Sequence, residues 1–399
     1  MKKIWFSLLV LGYFSGFSQL ENKQPAADSI DSHDKYLYVS VRDLSFIKNN
    51  EYFNLIADGY TLFGNRINPE IILDVHPNYD ITAGMMLLKY YGHDDFTSAI
   101  PYFGLRIKDG RHTYYFGKLS SEDNHHLSRA LYDFERQLDA RSIENGIEYR
   151  YYSTAWESDT WLEWEHFIQK YDDEREYINF GHYSRYKHRT SKGEFYVPFQ
   201  FYIHHRGGQI NIRNKQTKGL NNALVVANAA IGAGYERNLN SKNTLGIRLD
   251  AFYHFINSDN TEEFVFDKGK AFQYRIYYYH ENIMVHLNYW DADKFVSSKG
   301  DDMFQSVSRR VEKYYDDNDQ PVPVFAGHTE PDRRLLYGGL IYSKEIYKNL
   351  FLQFTTDVFY QLNESEIVSP VYNSKVSGQL DYSMGLYLTY KFKHRLLKL

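Results

Sequence analysis

The chain contains no cysteine, so it holds no disulfide framework, no thiolate for catalysis or metal binding, and no site for lipid attachment at a leader-cleavage cysteine. Proline is scarce, at 9 of 399 residues, and no low-complexity segment occurs. Beyond residue 18 no window approaches eighteen consecutive apolar residues, which excludes a membrane-spanning helix. A formal net charge of -5 argues against a nucleic-acid partner. What the chain has in quantity is aromatic: 38 Tyr and 27 Phe, a bias that favours strands.

Residues 1–18 read as a secretory signal peptide, with Lys2 and Lys3 before the apolar core Ile4 to Phe14 and the small residues Gly16 and Ser18 at its end. The exported chain therefore either dissolves or enters a membrane as strands.

Period-two alternation decides between them. In NTLGIRLDAFYHF (243–255), Leu245, Ile247, Leu249, Tyr253 and Phe255 share one face, and Arg248, Asp250 and His254 lie on the other. The same pattern recurs at 193–206, 349–361 and 380–392, in runs of about 11 to 14 residues, twice the usual strand of a soluble domain and enough to cross a bilayer. Connections alternate in length: 207–221, 256–269, 291–332 and 362–379 are long, whereas 237–242, 281–282 and 344–348 are tight. A barrel with short periplasmic turns and long external loops has this signature.

The predicted fold is all-β, a transmembrane antiparallel barrel of sixteen strands over 52–393, with eighteen as the alternative if 291–332 hides a hairpin. An even count leaves YLYVSVRDLSF (37–47) over, so 19–51 is predicted to be a periplasmic or lumenal segment. Residues 120–142, with Leu127, Leu131, Phe134 and Leu138 at helical spacing, form the single helix-like piece, expected as an outer loop or as a lumenal constriction.

With its signal peptide, its alternating strands, the stretch GYTLFGNRINPEIILDV (59–75) and the terminal strand LYLTYKFKHRLLKL (386–399), the chain resembles the porin-like outer-membrane β-barrels of Gram-negative bacteria. In that family the last strand ends in an aromatic residue read by the barrel-assembly machinery; Tyr390 and Phe392 suit the role, although HRLLKL follows them. The resemblance implies residence in the outer membrane among its lipids and lipopolysaccharide, and passage of polar solutes, saccharides among them. Fold alone does not name a solute.

Alternation assigns Glu148, Arg150, Glu163, Glu165, Arg185, Glu194, Gln200, His204, Arg206, Arg248, Asp250, His254 and Asp357 to the lumen, where charge would set selectivity or pair across strands. Tyr152, Trp161, Tyr183, Tyr196, Tyr202 and Tyr387 fall on the same face as a track for sugar rings or as packing. His126 and Ser128, with Asp133 or Glu135 as an acidic third member, are the one hydrolase constellation. Its spacing suits a strand, and in a helix-like segment it would split the pair between faces, so the sequence predicts a channel and not an enzyme. HHRGGQINIR (204–213) lacks phosphate-loop spacing, YYDDNDQPVP (314–323) lacks that of a calcium loop, and no cofactor or metal is expected.

Overall fold

The computed structural model describes residues 34–169, 172, 175–207, 223–258, 265–308, 311–315, 321–325, 328–363, 365–368, 373–376 and 378–399. The signal peptide and most of GGQINIR lie outside them.

Sixteen antiparallel strands close into one barrel. In chain order they are β1 (Tyr36–Glu51), β2 (Tyr60–His76), β3 (Tyr79–Tyr90), β4 (Ser98–Asp109), β5 (His112–Lys118), β6 (Asn145–Tyr152), β7 (Trp156–His166), β8 (Tyr177–Arg189), β9 (Gly193–Arg206), β10 (Leu224–Asn238), β11 (Asn243–Ser258), β12 (Lys268–His280) and β13 (Ile283–Asp293). A hairpin of β14 (Val311–Tyr315) and β15 (Pro321–Phe325) follows, then β16 (Asp332–Tyr347) and β17 (Leu350–Gln361), a hairpin of β18 (Ser365–Val368) and β19 (Asn373–Val376), and β20 (Leu380–Lys398). Each hairpin is a separate two-stranded sheet. The segment 291–332 thus does contain a hairpin, but it adds nothing to the wall and the count stays at sixteen.

The strand count agrees with the sequence, and the identity of two strands does not. Residues 37–47 belong to the wall as β1, which pairs with β2 from Tyr36↔Asp74 to Asn50↔Tyr60 and closes the barrel against β20 from Tyr36↔Lys398 to Glu51↔Tyr382. The two strands expected at 52–62 and 67–76 are instead one, β2, because Tyr52 to Gly59 form the external connection. HRLLKL does not end the wall early; it extends β20 and pairs with Tyr36 to Val39. Every wall strand pairs with two neighbours, so the barrel closes without an edge strand.

Side-chain direction follows the predicted inversion. Leu245, Ile247, Leu249, Tyr253 and Phe255 are exposed, whereas Asp250, Phe252 and His254 on the same strand are buried. An apolar exterior around a polar interior is what an outer-membrane barrel requires, and the protein is an outer-membrane protein.

The interior is filled. Residues 119–144, between β5 and β6, enter the lumen, and there they meet residues 294–308. Tyr132 and Lys299 form a parallel bridge, the Asp133 amide donates to Lys299 O at 2.7 Å, and the Asp301 amide donates to Arg129 O at 2.9 Å. The lumenal alternative for 120–142 is therefore the observed one, but no α-helix forms. Three short 3-10 turns, Asn124–His126, Phe134–Leu138 and Ala140–Ser142, are preceded by Asp123, Asp133 and Asp139, each of which accepts a backbone N–H with its side chain. These local bonds compete with helix continuation. Leu127, Leu131 and Leu138 consequently pack into three different apolar clusters.

Candidate functional site

Two polar constellations are built where the plug meets the wall. The deeper one surrounds His125. Asn124, His125 and His126 have φ of 57, 51 and 59°, a left-handed turn that non-glycine residues rarely adopt and that persists only when surroundings enforce it. The turn lays the His125 ring on Trp161, with centroids 3.7 Å apart and planes 7° from parallel. Its Nδ1 lies 3.0 Å from Asp159 Oδ2 and its Nε2 3.0 Å from Glu144 Oε2. Burial favours the neutral ring, but the two carboxylates outweigh it and push the imidazole pKa up to about 10. Glu144, buried as well, is held well below the usual carboxylate range by Arg136 and His125.

Glu148, 3.7 Å from Nδ1, and Asp159 converge with His125 as a conceivable three-donor cation site. Arg150 occupies that electrostatic role: its guanidinium binds Glu148, Asp123 and Asp159, the last at 3.0 Å, and donates to Ser120 O. With both ring nitrogens donating to carboxylates, His125 is an anchor of the plug and not a free base. Its contribution to stability is complete below the unfolded value near pH 6.5 and is lost as pH rises through about 10. Melting temperature measured from pH 6 to 11 should fall across that window in the native chain and not in His125→Gln; parallel curves would contradict the assignment.

The outer constellation sits at the external mouth. Glu135, buried in the turn 134–138, accepts hydrogen bonds from Asn50 Nδ2 at 3.0 and 3.1 Å and from the Tyr60 hydroxyl, with Lys48 Nζ 3.3 Å away. Lys48 and Asn50 come from the external end of β1 and Tyr60 opens β2, so the wall strand that periodicity left over supplies two partners. Asp133 caps the same turn through the Glu135 amide at 3.0 Å. Burial and the neighbouring Glu135 and Asp301 carboxylates push Asp133 well above the usual carboxylate range. Both acids line a cavity of about 360 Å³ with Arg136, Arg141, Glu163, Glu165 and Lys299.

The residues expected to line a pore all lie on the lumenal face, and most are engaged. Arg185 pairs with Glu194, Arg248 with Asp250, and Asp357 with Arg129 and His286. Glu163 and Glu165 accept from Asn179, whose Oδ1 lies 2.8 Å from His204 Nδ1, and Glu165 also holds Lys299 at 2.5 Å. Gln200 accepts from the Ser128 amide, and His254 Nδ1 accepts from the Val296 amide. Arg206 stands at the external end of β9. Of the proposed sugar track, Trp161, Tyr183, Tyr196, Tyr202 and Tyr387 are each at most 5% exposed, whereas Tyr152 is 41% exposed. Trp161 carries His125, Tyr202 packs on Tyr132 and Tyr387 on Phe134, so these rings seat the plug.

The His126 and Ser128 pair is not assembled. His126 Nε2 lies 3.2 Å from Asp123 Oδ2 and its ring packs against Tyr183, because the left-handed turn sends it away from Ser128. Sequence reading named Glu135 only as a possible third member of that dyad and missed Lys48, Asn50 and Tyr60. The available signal was the alternation of 37–47, which, continued to Asn50, points Lys48 and Asn50 inward.

Among solved structures the chain is similar to OpdL of Pseudomonas aeruginosa, with a TM-score of 0.48, 9% identity, and coverage of 91% of this chain and 99% of that one. It is similar also to OprD of Pseudomonas aeruginosa (0.47, 10%, 90% and 94%) and to an anion-selective porin from Comamonas acidovorans (0.46, 11%, 90% and 100%). Likeness this distant concerns strand layout and says nothing of what passes or reacts. No curated protein sequence matches the chain. Residues 27–399 match the lipid A 3'-O-deacylase-type family, which overturns the expectation that the chain is not an enzyme. Nearly its whole length carries that match, and the outer-membrane barrel described here belongs to the lipid A 3'-O-deacylase-type family.

Proposed function

We propose that the protein is an outer-membrane hydrolase that releases a fatty acid from an acyl ester of an outer-leaflet glycolipid, lipid A, in the external pocket of Glu135 and Asp133. The observation that carries this reading is that Glu135, oriented by Asn50 and Tyr60, and Asp133, whose pKa burial raises, line one cavity at the external mouth. Two carboxyl groups in one pocket can divide the roles of base and acid. Glu135, held by Asn50, Tyr60 and Lys48, takes a proton from water as the water attacks the ester carbonyl. Asp133 returns a proton to the sugar oxygen as the acyl bond breaks. Lipopolysaccharide is thus the partner as well as the substrate.

Purified protein in lipid A vesicles should release fatty acid, and Glu135→Gln, which keeps the shape and a hydrogen-bond acceptor, should lower the rate by about two to four orders of magnitude. Absence of release by the native chain from acylated lipid A would refute the proposal.

A second reading, gated passage of polar solutes, is favoured by one observation. A cavity of about 430 Å³ lined by Arg42, Arg66, Lys118, Lys391 and Lys393 lies in the periplasmic half, on the other side of the 134–138 turn from the outer pocket. A plug with polar space on both faces has the layout of a gate. Of the six rings expected to carry a saccharide, five are covered and Tyr152 stays exposed.

A further inference from the structure

Strand lengths around the plug are unequal, and the inequality falls in the outer half of the wall. β5 and β6 have 7 and 8 residues where their neighbours β4 and β7 have 12 and 11. Pairing of β4 with β5 begins only at Gly104↔Gly117, so Ser98 to Phe103 pair with β3 on one side and with no strand on the other. Pairing of β6 with β7 begins at Gly146↔Glu163, so Trp164 to His166 pair with β8 alone. The floor between the two free edges is set by glycines. A Cβ at Gly117, where φ is +83°, would stand 2.2 Å from Phe103 O, and one at Gly146 would stand 1.8 Å from Leu162 O.

Exposure registers the missing strands. Phe103, outward-facing on the free edge of β4, is 70% exposed, against 36 to 56% for Ile231, Leu249, Tyr274 and Phe354 on flanked strands. Pro101, within the free edge, has no N–H to leave unpaired, which suits an edge that stays open.

Behind the edges the lining is apolar and then polar. Ile100 and Ile143 are half-buried against Met86, Leu88, Tyr102 and Leu138. The carbonyl of Leu138 is fixed by the Tyr90 hydroxyl at 3.0 Å, and Tyr90 also lines the outer pocket. At the lip, Arg141 is bound through Nε and Nη2 to Asp139, and its side chain is 62% exposed.

We propose that the notch between β4 and β7 is a lateral entrance through which one acyl chain of an outer-leaflet glycolipid passes from the membrane onto the half-buried side chains of Ile100 and Ile143, with Arg141 receiving an anionic group of its head. At this depth the material next to the wall is hydrocarbon, so the occupant of an apolar opening there is a lipid tail. The role in turnover rests on the hydrolase reading above; the occupancy does not. The route delivers the ester, which joins tail to headgroup, to the boundary between these apolar side chains and the acidic pocket, where Glu135 and Asp133 stand.

The native chain should be reconstituted in vesicles containing a phospholipid whose acyl chain bears a diazirine, irradiated, and its adducts mapped by mass spectrometry. Outward residues such as Phe103 and Ile147 are the internal standard. Adducts on Ile100 and Ile143, with severalfold fewer on Ile100 in Ile143→Trp, support the entrance. Adducts confined to the outward face, or unaltered in Ile143→Trp, overturn it. Glu135→Gln should label like the native chain. Labelled Ile100 and Ile143 without fatty-acid release from lipid A would discard the hydrolase reading and retain the entrance.

Discussion

Arg129→Ala is expected to unseat the plug and turn a closed barrel into a conducting one. Arg129 ties residues far apart in sequence: Nε and Nη2 bind Asp301 in the second plug segment, at 3.0 and 2.5 Å, and Nη1 binds Asp357 on the β17 wall at 2.7 Å. The two acceptors are 7 and 12% exposed, so truncation leaves two carboxylates in the interior without their counter-charge. Breaking a buried ion pair from one side costs about 3 to 5 kcal/mol, and Arg129, itself 30% exposed, belongs at the lower end of that range. Because the wall strands keep their pairing, the loss falls on the plug. Planar-bilayer recordings should show rare openings for the native protein and frequent, larger ones for Arg129→Ala; indistinguishable conductance would mean that the plug is held by its apolar clusters alone.

Leu249→Arg is expected to weaken the barrel itself. Leu249 stands midway along β11 on the lipid face, with 43% exposure, and pairs in register with Ala233 and Tyr274. A guanidinium there faces hydrocarbon and costs about 2 to 4 kcal/mol near the midplane. The neighbouring Arg248 already points into the lumen and is bonded to Asp250 at 2.6 and 2.8 Å, so moving the charge by one residue reverses its environment. Urea unfolding in lipid vesicles should show the loss for Leu249→Arg, and a smaller one for Leu249→Ala. Equal stability of the arginine variant and the native protein would contradict the assignment of faces.

The wall was legible because period-two alternation depends only on which neighbour is lipid and which is water, a condition repeated at every strand. The errors arose where that condition is interrupted. Residues 37–47 alternate like the rest, yet splitting β2 into two strands filled the even count and pushed β1 out of the wall. The plug was legible in position and not in form. Leu127, Leu131 and Leu138 have helical spacing, but Asp123, Asp133 and Asp139 draw the backbone into separate turns, and the leucines serve three clusters. The pocket of Glu135 was hidden for a further reason. Its members are contributed by β1, β2 and a lumenal turn, so no local spacing in the sequence brings them together.

The union of Tyr132 with Lys299 also bears on the order of events in biogenesis. One half of the plug leaves the wall between β5 and β6, and the other between β13 and β16, so eight strands separate their exits. Closing so long a loop is entropically unfavourable until the strands between have registered. The stopper is therefore a late product of assembly, and the newborn barrel passes through a hollow stage before it seals.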